Sequence, residues 1–298
     1  MTPRTNRFAL YTLMVISTMA ISEVFLSCRN YASEPTDRVL TVSIEPLRYV
    51  VEAIAGDKYK VQTLMPQGAS PETYEPTPHQ MMELSRSTLV FRAGSLGFEQ
   101  TSLPQMLQNA PDTELTDLAK GVRPIYDDSH HHGEGESMDP HTWMSTENLR
   151  IMARNACEAL CHKDSVNRAY YEARLTEFDA HMDQLDEELS ELLKPLQHRT
   201  FLIYHPALGY FARQYGLRQM AVEHDGKEPS ASRFKNLVAN CKAEDVEVVF
   251  ISKEHVGRAA QRLADATGAH IITINPLDYD VAAQMRFIAK SLVNTKTN

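Results

Sequence analysis

The sequence predicts an α/β protein of two similar lobes, each a mainly parallel sheet with flanking helices, joined by one long rigid α-helix. Short β-rich runs alternate with helix-period runs in both halves of the chain, the pattern of parallel strands joined through crossover helices. The segment from Asp164 to Leu193 holds neither Pro nor Gly and repeats apolar residues at helical spacing. The 298 residues, 43% hydrophobic and 23% charged, suffice for roughly two domains of about 150 residues each without disulfide or metal staples.

The N-terminus reads as an address. Arg4 and Arg7 precede an apolar stretch from Phe8 to Leu26, interrupted by Glu23 and ending at Leu26-Ser27-Cys28. This is the layout of a secretory signal peptide over residues 1–27. A transmembrane anchor is the competing reading, disfavoured because the stretch is barely long enough to span and carries a carboxylate near its end. Leu-Ser-Cys resembles the bacterial lipobox, which implies that Cys28 becomes a lipidated N-terminus and that residues 28–37 are a polar, Pro-containing tether.

The N-terminal lobe is assigned to residues 38–163. Val39–Ile44 is a short β-rich run, followed by an apolar-periodic helix from Pro46 to Ala55 that stops at Gly56. Tyr59–Met65 and Thr88–Arg92 read as further strands, and Gln80–Ser85 and Phe98–Gln108 as helices; another helix begins near Thr146 to Asn148. The connecting helix is assigned to 164–195. Its stripe of Tyr171, Leu175, Phe178, Met182, Leu185, Leu189 and Leu192 predicts about 45 Å of helix, ended by Pro195. The same stripe would suit a coiled-coil dimer, but a helix lying across two lobes accounts for it within a monomer.

The C-terminal lobe, 196–298, repeats the style. Phe201–Tyr204, Gln219–Val222, Val246–Ile251 and His270–Ile274 read as strands, and Leu208–Tyr215, Ala231–Asn240, His255–Thr267 and Val281–Val293 as helices.

Charge and cysteine use narrow the class. Lys and Arg number 30 against 39 Asp and Glu, a net charge of -9, and loss of residues 1–27 would deepen it by one. Such a balance argues against nucleic acid, whose phosphates need a concentrated basic face, and suits a cationic partner. With Cys28 committed to lipid, Cys157, Cys161 and Cys241 remain, an odd number without zinc-ribbon spacing. They read as buried thiols with at most one bridge.

Twelve histidines point to metal, since imidazole is the commonest nitrogen ligand. In α/β lobes ligands are met at the carboxyl ends of strands, where His205 follows Phe201–Tyr204. His141 lies in Asp139-Pro140-His141-Thr142-Trp143, a loop stiffened by proline and walled by the only tryptophan. Either histidine alone is more often a packed or surface residue than a ligand. The Pro-rich loop from Gly68 to Pro78 could present Glu72 or Glu75 rigidly into a cleft, although its composition favours a capped turn leading into the helix after Pro78. His130-His131-His132, set among acids in a Gly-containing loop, could capture metal loosely or be a solvated loop.

Four motifs in order carry a resemblance: Gly68-Ala69-Ser70-Pro71-Glu72-Thr73-Tyr74-Glu75-Pro76-Thr77-Pro78, Asp139-Pro140-His141-Thr142-Trp143, His205-Pro206-Ala207-Leu208-Gly209-Tyr210-Phe211 with Tyr215-Gly216-Leu217, and Gly226-Lys227-Glu228-Pro229-Ser230. Across residues 38–295 the chain resembles the ZnuA-like metal-binding lipoproteins and periplasmic proteins of ABC importers, which deliver zinc or manganese.

The resemblance implies a binding protein rather than an enzyme. One divalent metal ion, zinc in preference to manganese, would be held between the lobes and delivered to an ABC permease on the periplasmic or cell-surface side of a bacterial membrane. The family's second and third histidines match His141 and His205; Glu72 stands where the first is usually His, and Asn275 where the last ligand is usually Asp. Glu72 still offers a carboxylate oxygen, so a two-nitrogen, one-oxygen set results, its fourth place open to water, Asn275, Asp278 or Asp280. Such a set leaves manganese or iron possible, while the affinity order of divalent ions favours zinc. Glu228 is a candidate to hydrogen-bond a ligating histidine. The rival classes are a zinc hydrolase, whose local His-Glu-His helix is absent from the sequence, and a metal-stabilised adhesin.

Overall fold

Two four-stranded parallel sheets with the same strand order organise the protein, described in a computed structural model over residues 38–127, 137–223, 227–252 and 258–294. The expected signal peptide, Cys28, the tether and His130–His132 lie outside these residues.

In the first lobe, β1 (Val39–Val42), α1 (Glu45–Ala55), β2 (Lys60–Thr63), α2 (Pro78–Leu84), β3 (Ser87–Arg92), α3 (Gly97–Thr101), α4 (Leu103–Gln108) and β4 (Glu114–Asp117) follow in turn. The sheet runs β2-β1-β3-β4, with Leu40 opposite both Val61 and Leu89. A two-residue antiparallel ladder, β5 (Tyr126–Asp127) with β6 (Ser137–Met138), leads into α5 (Thr146–Lys163).

The second lobe holds β7 (Thr200–Ile203), α7 (Gly209–Gln214), β8 (Arg218–Ala221), α8 (Ala231–Ala243), β9 (Val248–Ser252), α9 (Arg258–Thr267), β10 (His270–Ile274) and α10 (Val281–Val293), after the spine helix α6 (Arg168–Leu193). Its sheet runs β10-β9-β7-β8, so its first strand, like β1, has the second on one side and the third on the other. That reversal opens a crevice at the carboxyl ends of the strands, the place where α/β sheets bind ligands.

The spine buries Tyr171, Phe178, Met182, Leu185, Leu189 and Leu193, with Leu175 and Leu192 partly buried beside them. It packs on α1 and α5 of the first lobe and on α10 of the second. One apolar core therefore runs from Leu40 and Phe91 through the spine to Phe201, Phe250 and Met285. Alternation along β7 sends Phe201 and Ile203 into this core and Leu202 and Tyr204 into a second cluster on the other face of the sheet. The apolar seam that a coiled-coil dimer would require is thus buried against the chain's own helices.

Several expected boundaries move for physical reasons. The helix expected over Phe98–Gln108 breaks at Ser102, because Pro104 has no N–H to give and its ring would strike the carbonyl four residues earlier. The spine begins at Arg168 rather than Asp164, and its 26 residues span about 39 Å. Asp164 lies outside the helical region, at φ -135° and ψ 68°, its carboxylate accepting from the Asn167 amide and the Tyr171 hydroxyl. β4, at the sheet edge, has no counterpart among the expected strands, because its Glu114 and Leu115 are exposed and show no clear alternation. Gly56 ends α1 at φ 55°, and a β-carbon there would lie within 2.1 Å of the Tyr170 hydroxyl on the spine.

Candidate metal centre

His141 reaches the crevice on the loop between β6 and α5. The Asp139 N–H donates to the Ile125 carbonyl at 2.8 Å, and Ser145 caps α5 by accepting from the Asn148 N–H. Between these anchors Asp139 Oδ1 accepts twice from His141, from its backbone N–H and at ring Nδ1, both at 2.9 Å. Asp139 is 2% exposed. The Tyr210 hydroxyl donates to its carbonyl, and the N-terminus of α7 closes over its carboxylate, leaving no room for a β-carbon at Gly209. The buried Trp143 ring stands edge-on to His141 at 5.4 Å, and its indole N–H donates to the Pro276 carbonyl at 2.8 Å, tying the first lobe's histidine loop to the turn after β10.

His205 stands just past β7, whose ladder continues through Tyr204 N–H to the Phe250 carbonyl. Its Nδ1 lies 2.5 Å from Glu223 Oε1. Its Nε2 faces the crevice, 3.3 Å from His141 Nε2 and 3.4 Å from Glu72 Oε1. The two lobes thus present two imidazoles, each with Nδ1 on a buried carboxylate and Nε2 aimed at the other.

Glu72 supplies the rim. Its loop rests on α3, with Tyr74 packed edge-on to Phe98 at 5.0 Å and the Tyr74 hydroxyl donating to the Leu64 carbonyl. The Glu72 side chain is 43% exposed, against 14% for His205 and 9% for His141. Glu75 points to solvent. Among the described residues no three His, Cys, Asp or Glu side chains close into a finished metal cage. Two imidazoles and one carboxylate converge, with three acids, Glu72, Asp139 and Glu223, around them.

Charge shapes the centre. Burial works against a charged His205 ring, but the hydrogen bond to Glu223 and the charges of Glu72, Glu223 and Asp139 outweigh it and raise the pKa. Burial, reinforced by the Asp139 charge, pushes the Tyr210 hydroxyl up to about 12, so it remains a donor. Neutral imidazoles with lone pairs at Nε2, together with a carboxylate oxygen, suit a borderline divalent ion.

Asn275 and its neighbours are engaged in a turn. Asn275 Oδ1 accepts from the Leu277 N–H, its amide nitrogen donates to Asp278, Asp278 accepts from the Asp280 N–H, and Asp280 caps α10. The carboxylate expected from Glu228 comes instead from Glu223; Glu228 is exposed beyond the end of β8, while Glu223 follows that strand directly and is buried. An acid one place past Gln219–Val222 was the sequence signal for it.

Similarity to known proteins extends over most of the chain. At 26% identity the chain resembles the high-affinity zinc uptake system protein ZnuA of Bacillus subtilis (strain 168), covering 85% of this chain and 82% of that one. At 27% identity it resembles the manganese ABC transporter substrate-binding lipoprotein PsaA of Streptococcus pneumoniae serotype 4 (strain ATCC BAA-334 / TIGR4), covering 87% of each. A crystal structure of a zinc-bound ZnuA deletion mutant superposes with a TM-score of 0.81 at 33% identity, over 88% of this chain and 99% of that one. The family model for ZnuA, zinc-uptake complex component A, periplasmic, matches residues 40–297, and with the two lobes, the spine and the facing histidines in place, the chain belongs to that family.

Proposed function

We propose that the protein captures one divalent metal ion, zinc in preference to manganese, outside the inner membrane and hands it to an ABC permease. His141 Nε2, His205 Nε2 and Glu72 are the proposed ligands, with water in the fourth place. Asn275, Asp278 and Asp280 are weaker candidates because their side chains already serve the turn before α10.

The observation that carries the reading is the spacing of the donors. Zinc bonds of about 2.0–2.1 Å in a tetrahedron put neighbouring donors about 3.3–3.4 Å apart. The edges here are 3.3 Å between the imidazoles and 3.4 Å from His205 to Glu72. Zinc-named relatives support this choice, and the oxygen brought by Glu72 and the PsaA relatives keep manganese as the second reading.

No chemistry on the cargo is involved, in keeping with a family of uptake components rather than enzymes. Cys28, as a lipid anchor, would hold the protein at the membrane surface as a monomer. Competitive titration of the purified protein with zinc, manganese and iron tests the metal. Unchanged zinc affinity in a His141→Ala, His205→Ala double variant would sink the ligand assignment, and uptake in cells lacking the protein at limiting zinc and limiting manganese tests delivery.

A further inference from the structure

Resting on this reading of His205 as a ligand, we infer that Glu223 is a positioning residue that sets which nitrogen of His205 is offered to the metal. Its backbone leaves little choice of place: the Val222 N–H donates to the Ile203 carbonyl and the Glu223 N–H to the Tyr204 carbonyl, so the ladder between β8 and β7 runs on past the strand ends. The side chain is 4% exposed and reaches His205 Nδ1 at 2.5 Å. With Glu223 Oε1 accepting at Nδ1, the ring carries its hydrogen there and keeps the lone pair on Nε2, the atom facing His141 and Glu72.

The two backing carboxylates differ in what holds them. Asp139 is bound into its own turn through the His141 backbone N–H as well as the ring, so it would keep its place without the imidazole. Glu223 comes from a neighbouring strand and meets His205 from outside the His205 loop. Glu223 therefore governs orientation on the second lobe's side of the centre, while the metal itself touches His205.

The experiment compares zinc affinity in the full protein and in Glu223→Ala, Glu223→Gln, His205→Ala and the Glu223→Ala, His205→Ala double variant. Glu223→Ala is expected to bind zinc about 10–100-fold more weakly than the parent, with Glu223→Gln between them because its amide can accept or donate at Nδ1. In the His205→Ala background the same change is expected to cost nothing further. Nitrogen NMR of histidine-labelled, metal-free protein, at a pH high enough to keep the ring neutral, should report hydrogen on Nδ1 of His205 in the parent and a mixture of ring forms in Glu223→Ala, a readout that a purely structural role would not move. The isosteric Gln variant keeps the test open if the Ala variant fails to fold. Parental affinity and an unchanged ring form in a folded Glu223 variant, or an equal loss in the His205→Ala background, would overturn the inference. Parental affinity in His205→Ala alone would overturn the ligand reading itself, which distinguishes the two failures.

Discussion

Gly209 and Asp139 meet so closely that a β-carbon on the glycine would sit 2.3 Å from Asp139 Oδ2. The helix that closes the second lobe's histidine loop is therefore seated on the carboxylate that orients the first lobe's histidine. Gly209→Ala must push Asp139 aside and loosen its two bonds to His141. We expect a stability loss of about 1–3 kcal/mol from overpacking and a weaker zinc affinity. Thermal melts and zinc titration check both; an alanine variant that binds like the parent would show that the carboxylate can yield without consequence.

The raised pKa of His205 predicts opposite pH trends with and without metal. A group whose folded pKa exceeds its unfolded value stabilises fully below the unfolded value, about 6.5, and that contribution is lost as pH rises through the folded value. Metal-free protein should thus lose this part of its stability on going upward through that window. Zinc must displace the proton, so affinity should rise over the same window and protons should be released on binding. Calorimetry in buffers of different ionisation enthalpy measures that release, and zinc affinity that does not vary from pH 6 to 8 would contradict the prediction.

Lengthening the nitrogen set should sharpen the metal choice. Glu72→His replaces the one oxygen donor among the three proposed ligands, and softer nitrogen donors favour zinc over manganese. The ratio of zinc to manganese affinity is expected to rise, read by competition between the two ions. A falling ratio would show that Glu72 is not a ligand.

The spine joins the lobes into one apolar core, so the protein should unfold as one unit. Leu189→Ala, fully buried on α6, should cost about 2–5 kcal/mol. The loss should appear equally in far-UV circular dichroism and in the fluorescence of Trp143, the only tryptophan. Two separated transitions would show that the lobes are held independently.

Cys157 and Cys161 should remain thiols in the folded protein. Their sulfurs lie 3.9 Å apart, but residues four apart on a helix hold their β-carbons about 5–6 Å apart, beyond what a disulfide spans. Burial, and then the neighbouring Cys161, pushes the Cys157 thiol up to about 12, which keeps it unreactive. Alkylation followed by mass spectrometry should find both protected in native protein and both labelled after denaturation.

Local patterns were legible in the sequence. Period-2 and period-3.6 runs located most strands and helices, the apolar stripe from Tyr171 to Leu192 located the spine, and the motifs around Glu72, His141 and His205 named three side chains that the fold brings together. Non-local facts were not legible. The position of Glu223, one place past a predicted strand, was visible, but its contact with His205 follows from β8 lying next to β7, which no spacing along the chain records. Asn275 looked available as a donor until the hydrogen bonds of the turn before α10 accounted for its amide. The break at Ser102 was written in Pro104, but the apolar pattern ran through it.

Exposure falls inward, from Glu72 at the rim to His205 and His141 behind it. On the proposed assignment an arriving cation meets oxygen before nitrogen. The encounter then depends on a carboxylate open to solvent, whose pull added salt weakens, while escape is governed by two sheltered imidazoles that salt scarcely reaches. Arrival and retention are thereby assigned to different side chains, so the speed of loading and the time a metal stays bound can be tuned separately.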